Sequence, residues 1–212
     1  MNTDFEEKGY FLVKNFLEKD FAEFIQQYFY VRIKAGHSSH GETQAPGAYS
    51  FYSDPLVETI LLCSIDLVSK ISGKKLLPCY SYTRLYAKGD ELIIHRDRPS
   101  CEISATLALG VPENEKIQPI YFSDNEDQSN PVEILLSPGD LCVYRGCDLH
   151  HWRPPFTQKW YLQSFLHYVD ADGPYKDCLY DTRPYLATPT SMRNADLLGD
   201  HQDNLLNKFR LN

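Results

Sequence analysis

The sequence predicts a mainly β domain of the sandwich or barrel type, with helices packed on its outside. Three observations point there. Two amphipathic helical patterns fill the first 73 residues, the grammar then changes to short strands, and turn residues separate those strands at short intervals. A length of 212 residues suits one domain, 1–212, with a sizeable core. Hydrophobic content of 42% and charged content of 24% are those of a folded chain and exclude wholesale disorder.

In the first helical pattern, FLEKDFAEFIQQYFYV, the residues Leu17, Phe21, Phe24, Ile25, Tyr28 and Phe29 recur at helical spacing. In the second, Asp54 is the expected N-cap and Pro55 the first helical residue. Val57, Ile60, Leu61, Ile65 and Val68 form one stripe, and Gly73 is the expected stop. The stretch GHSSHGETQAPGAYSFYSD between them reads as a loop that orders over a substrate or stays mobile, with His37 and His40 solvated. From about residue 76 the expected strands are LLPCYSYTRLYA, ELIIHRD, EISATLALG, IQPIYFS, VEILL, DLCVYRG and KWYLQSFLHYV. Breaks fall at KGD, SDNEDQSNP, SPGD and RPPFTQ. The tail from Gly173 mixes Pro, Asp and Tyr and carries one weak helical pattern over 195–209.

A formal charge of −8 argues against a nucleic-acid backbone as the main partner, because phosphate neutralisation needs clustered Lys and Arg. The opening MNTDFEEKGYFLVKNF lacks the cationic-then-apolar pattern of a secretory signal, and no stretch approaches the roughly 20 apolar residues that span a bilayer. Six cysteines are scattered without a Cys-x-x-Cys pair, which reads as reduced thiols used as small core residues in a cytoplasmic protein.

The strongest local signal is His95-Arg96-Asp97 at the end of ELIIHRD. Strand alternation places residues i and i+2 on one face, so an imidazole and a carboxylate can take adjacent positions around a metal. A further histidine source follows in Leu149-His150-His151-Trp152-Arg153. Adjacent strand residues face opposite ways, so only one of the two histidines can join the site. Two His and one carboxylate form the facial triad of mononuclear iron(II) oxygenases and leave the site net positive toward an anionic cosubstrate. A protein-kinase catalytic loop also contains His-Arg-Asp, but Glu102 stands where that motif needs Asn.

The run Tyr86-Ala-Lys-Gly89-Asp-Glu-Leu92-Ile-Ile-His95-Arg-Asp97 resembles the Tyr-x-x-Gly-x-x-Tyr/Leu-x-x-His-x-Asp signature of the prolyl 4-hydroxylase-like branch of the 2-oxoglutarate oxygenases. The resemblance continues through Ser137-Pro-Gly-Asp140, Tyr144-Arg-Gly146, His151-Trp-Arg153, Lys159-Trp160 and Phe165-Leu-His167, and Gly9 to Leu17 looks like the entry to that catalytic domain. It implies a double-stranded β-helix over 9–170, with 171–212 as a C-terminal extension. It implies iron(II) held by His95, Asp97 and His151, with Tyr86 hydrogen-bonding 2-oxoglutarate. Lys159, preceding Trp160, is the first choice for the cation on the cosubstrate's distal carboxylate, and Arg153 is its competitor. The activity implied is hydroxylation of an amino-acid residue of prolyl type, or of a related small molecule, with O₂ consumed and 2-oxoglutarate converted to succinate. The expected partner is a peptide, protein or small-molecule substrate, with no nucleic acid or membrane. A 2-oxoglutarate-independent or non-enzymatic barrel that binds a ligand or partner protein is the alternative.

Overall fold

Alternation of apolar and polar residues along the longest strands dictates two sheets with helices on one outer face. The computed structural model describes residues 2–40, 45–127 and 129–193; the helical pattern expected over 195–209 lies outside them. A short helix, α1 (Thr3–Lys8), opens the chain, capped by the Asn2 side chain and closed at Gly9 in the left-handed region (φ 75°). Strand β1 (Tyr10–Val13) follows, then α2 (Lys19–Lys34), β2 (Tyr49–Tyr52), α3 (Pro55–Cys63) and α4 (Ile65–Ser72). The remaining strands are β3 (Leu76–Ala87), β4 (Leu92–His95), β5 (Ile103–Gly110), β6 (Ile120–Ser123), β7 (Val132–Ile134), β8 (Leu141–Arg145), β9 (His150–Arg153) and β10 (Trp160–Asp170).

One sheet runs β1-β8-β5-β10-β3-β2 and the other β4-β9-β6-β7, every pairing antiparallel. On β5, Ile103, Ala105 and Leu107 face outward, and on β10 Leu162 and Leu166 do the same. They meet Ile25, Phe29, Val57, Leu61, Val68 and Ile71 of the helices in one core. The inner faces carry Tyr86, Ala108, Tyr144 and Tyr161 from the first sheet against Ile120, Phe122 and Ile134 from the second. This is the double-stranded β-helix that the resemblance implied, with helices outside.

Several expectations need correction in detail. Helix α2 buries Ala22, Ile25 and Phe29, whereas Phe21 and Phe24 are exposed and stack on each other at 6.1 Å. The second helical pattern breaks at Ser64, whose hydroxyl donates to Ile60 O (2.7 Å) and meets the Tyr168 hydroxyl at 2.7 Å. Diverting a side-chain bond to the preceding turn bends a helix, and the break lets α3 and α4 follow the curved sheet. Asp54 and Gly73 cap the pair as expected. Strands β1 and β2 come from segments whose short length hid them, and residues 173–193 pack back onto the sheet. Arg183 of that segment is fully buried and pairs with Glu58 of α3 at 3.0 Å. No helix among the described residues is long and apolar enough to cross a membrane.

Candidate metal centre

Pairing of β4 with β9 puts His95 directly opposite His151. Their rings lie 4.3 Å apart. Strand β4 ends at His95, so Asp97 is not placed by alternation as expected. It sits in the following irregular segment, tied by its N–H to Gly146 O at 2.9 Å. That tie turns the carboxylate back toward the imidazoles. Asp97 Oδ1 is 3.7 Å from His95 Nε2 and 3.6 Å from His151 Nε2. The three ligand atoms lie within 4.8 Å of one another, a spacing a single ion can bridge.

Tautomers are set by the backbone. His95 Nδ1 meets Ile93 O at 2.7 Å and His151 Nδ1 meets Leu149 O at 3.1 Å. A carbonyl can only accept, so Nδ1 carries the proton in both rings and each Nε2 lone pair faces the centre. Burial lowers the His95 imidazole, helped by the nearby His151, and takes His151 down to about 4. Burial raises the Asp97 carboxyl to about 6, against the pull of His95 and of hydrogen bonds from Ser104 and Tyr144. Neutral imidazoles and a carboxylate denied water are groups that gain from a cation between them. His150 is buried on the opposite face of β9, with its Nδ1 unpartnered.

The other Asp97 oxygen is occupied. Ser104 Oγ donates to Oδ2 at 3.0 Å, and His167 Nδ1 lies 2.9 Å from the same hydroxyl. Burial lowers the His167 imidazole to about 3. Gly146 leaves the room this requires, since a Cβ there would stand 2.5 Å from Asp97 Oδ2 and 2.2 Å from Cys101 O. Ser104 was not singled out in the sequence, where nothing sets it apart from the other small residues of the buried strand β5.

The structure separates the two candidate cations. Lys159 precedes β10, with its side chain 81% exposed and 3.9 Å from Glu115, outside the barrel. Inward alternation begins only at Tyr161, because the strand has not started at Lys159. Arg153, 1% exposed, points inward two residues after His151. Its guanidinium carbon lies 4.8 Å from the Tyr161 ring and 5.5 Å from that of Phe156. Nη1 donates to Gln163, which itself donates to Thr106, while Nε and Nη2 have no partner. A buried guanidinium with unused donors is a site for an anion. Tyr86, fully buried, stacks on Phe156 at 4.8 Å and so belongs to the same inner cluster.

A cavity of about 270 Å³ opens over the triad. Tyr80, Tyr82, Arg84, Phe165 and His167 line it from the large sheet, with Tyr52 and Arg98 at the mouth. His37 and His40 take no part; His40 is exposed and packs on Tyr49 at 3.8 Å.

No family model matches the sequence, and neither does any curated protein. Solved structures do. A prolyl-4-hydroxylase from Pseudomonas putida aligns with a TM-score of 0.64 at 18% identity, over 79% of this chain and 96% of that one. A prolyl hydroxylase from Trichoplax adhaerens, in complex with a hypoxia inducible factor oxygen degradation domain peptide fragment, gives 0.66 at 15% identity, over 79% and 86%. HygX from Streptomyces hygroscopicus, with nickel and 2-oxoglutarate bound, gives 0.62 at 10% identity, over 95% and 96%. At these identities the likeness is one of fold: the chain shares the double-stranded β-helix of these proteins.

Proposed function

We propose that the chain is an iron(II)- and 2-oxoglutarate-dependent oxygenase that hydroxylates an amino-acid residue of prolyl type or a related small molecule. The observation that carries this reading is Arg153, a buried cation with two unpartnered donor nitrogens in the same barrel as the His95–Asp97–His151 donor set. A metal alone would not call for it; a dianionic cosubstrate does. Arg153 holds the distal carboxylate in this reading, steadied by Gln163, and Tyr86 adds a hydroxyl. Lys159 has no role.

When bound, iron with 2-oxoglutarate supplies the activation of O₂ that couples succinate and CO₂ release to hydroxylation of a C–H bond. The chain's own residues fix the geometry. His95, Asp97 and His151 would hold the ion, and the cavity lies against all three. Carbonyls of Ile93 and Leu149 hold the imidazoles in the donating tautomer. Tyr144, Phe122 and the inner tyrosines exclude water around them. One structural neighbour holds a peptide fragment and another holds hygromycin B, in keeping with either a peptide residue or a small molecule as the substrate. All six cysteines are free thiols, in keeping with a cytoplasmic setting.

Anaerobic titration with iron(II), then 2-oxoglutarate, is expected to raise a saturable visible charge-transfer band. Arg153→Ala should raise the 2-oxoglutarate requirement about a hundredfold, the loss of a bidentate charge-assisted contact, while Lys159→Ala leaves it unchanged. The reverse result returns the role to Lys159. Tight iron binding without a band would indicate a 2-oxoglutarate-independent enzyme, and no iron binding a non-enzymatic barrel.

A further inference from the structure

The mouth of the cavity is cationic in a chain of formal charge −8. Asp97, turned toward the imidazoles, is the one carboxylate among the described lining residues, whereas Arg84 and Arg98 both line the wall. At the rim, Arg98 Nη1 donates to Asp181 Oδ1 at 2.8 Å. That carboxylate is shared, because Tyr52 Oη donates to Oδ2 at 2.5 Å and Arg193 Nη2 donates to it as well. Two guanidiniums therefore meet one carboxylate. The Arg98 side chain is 48% exposed and its guanidinium carbon lies 4.7 Å from the Tyr80 ring, which stacks on Tyr52 at 5.3 Å. A cationic edge thus stands beside an aromatic wall at the entrance to the proposed iron.

We infer that the substrate is a small acid, whose carboxylate or phosphate pairs with Arg98 at the cavity mouth while its carbon skeleton lies against Tyr52 and Tyr80. The inference rests on the oxygenase reading for what happens to that acid. The charge of 2-oxoglutarate is answered deeper in the barrel by Arg153, so it does not use up the positive rim. A cationic substrate would bring a like charge among Arg84, Arg98 and Arg193 in a partly dehydrated site. A neutral one would strip water from Arg98 and leave it half a carboxylate in exchange. An oxyanion meets the free edge of a planar guanidinium with two parallel hydrogen bonds, and low-dielectric walls focus the field that draws it in.

Benzoate, phenyl phosphate and benzylamine share a ring and differ in charge, which makes them the probes. Each is titrated by ligand-observed NMR into the full chain, with zinc in place of iron and 2-oxoglutarate present, and again with neither. At least one of the two acids should bind, about tenfold or more tighter than benzylamine, and whichever acid leads identifies the oxyanion. Arg98→Gln should weaken the acid about tenfold, and Arg98→Lys, which keeps the charge and the Asp181 pair, should restore most of it. Benzylamine binding as well as the acids, no binding by either acid, or acid binding indifferent to Arg98→Gln overturns the inference. If the iron and 2-oxoglutarate band is absent while the Arg98-dependent preference persists, the oxygenase reading fails and the acid site stands.

Discussion

Asp97 divides its oxygens between two tasks, and the division depends on Ser104. Oδ1 faces both imidazoles, while Oδ2 accepts from a hydroxyl that has only one proton to give. His167 Nδ1 sits behind that hydroxyl at 2.9 Å, and Cys101 O at 3.1 Å is the other acceptor within its reach. Removing such an outer partner typically costs ten- to a hundredfold in metal affinity. Ser104→Ala should therefore weaken zinc binding by about tenfold in a competition titration, and Ser104→Thr, which keeps the hydroxyl, should recover it. Unchanged affinity in Ser104→Ala would mean that the Asp97 N–H tie to Gly146 O and the Tyr144 hydrogen bond aim the carboxylate without it. The residues legible beforehand at this scale were those with a chemical identity: His95, Asp97 and the His150–His151 pair stand out by type, whereas Arg153 stood second to Lys159. Ser104 did not stand out, because a serine on a buried strand has no distinguishing pattern until its neighbours are known.

Among the elements, the segment after β10 departs most from what its composition suggests. Pro, Asp and Tyr in 173–193 show no period of helix or strand, yet Arg183 anchors the segment at full burial. Nη2 donates to Glu58 Oε1 at 3.0 Å and to Cys79 O at 3.2 Å, Nη1 to Thr188 O at 2.8 Å, and Nε to Tyr180 O at 2.8 Å. Glu58 in turn accepts from Ser81 N at 3.2 Å. Taking one partner from a buried ion pair strands the other, at a cost of about 3–5 kcal/mol. Arg183→Met should lower unfolding stability by that amount in urea denaturation, and adding Glu58→Gln should return part of it. A loss below about 1 kcal/mol would show that water reaches the pair. The long strands β3, β5 and β10 were legible as strand-forming runs bounded by turn residues, and helix α2 from its period. Four-residue strands such as β1 and β2 were not, because so short a run shows no period of its own and exists only by pairing with β8 and β3.

Across the whole molecule, Asp181 joins β2 through Tyr52, the loop after β4 through Arg98, and the last described residue, Arg193. Burial pushes its carboxyl up, but hydrogen bonds from Arg98 and Tyr52 and the Arg98 charge bring it to about 2 from 3.8. A depressed acid stabilises the fold above its unfolded value, and that contribution drains away as pH falls from about 4 to about 2, roughly 2 kcal/mol in all. Urea midpoints across that window should fall more steeply for the natural chain than for Asp181→Asn; parallel curves would show that the network adds nothing to stability. The sequence by itself determined the fold class, the helical cover, and which residue types can bind a metal, because periodicity and side-chain chemistry are local properties. It left open His150 or His151, Lys159 or Arg153, and the whole Asp181 cluster. Those depend on tertiary structure: which face of β9 turns inward, where β10 begins, and which residues far apart in the chain are brought within hydrogen-bond reach are set by pairing between strands, which no stretch of sequence contains alone.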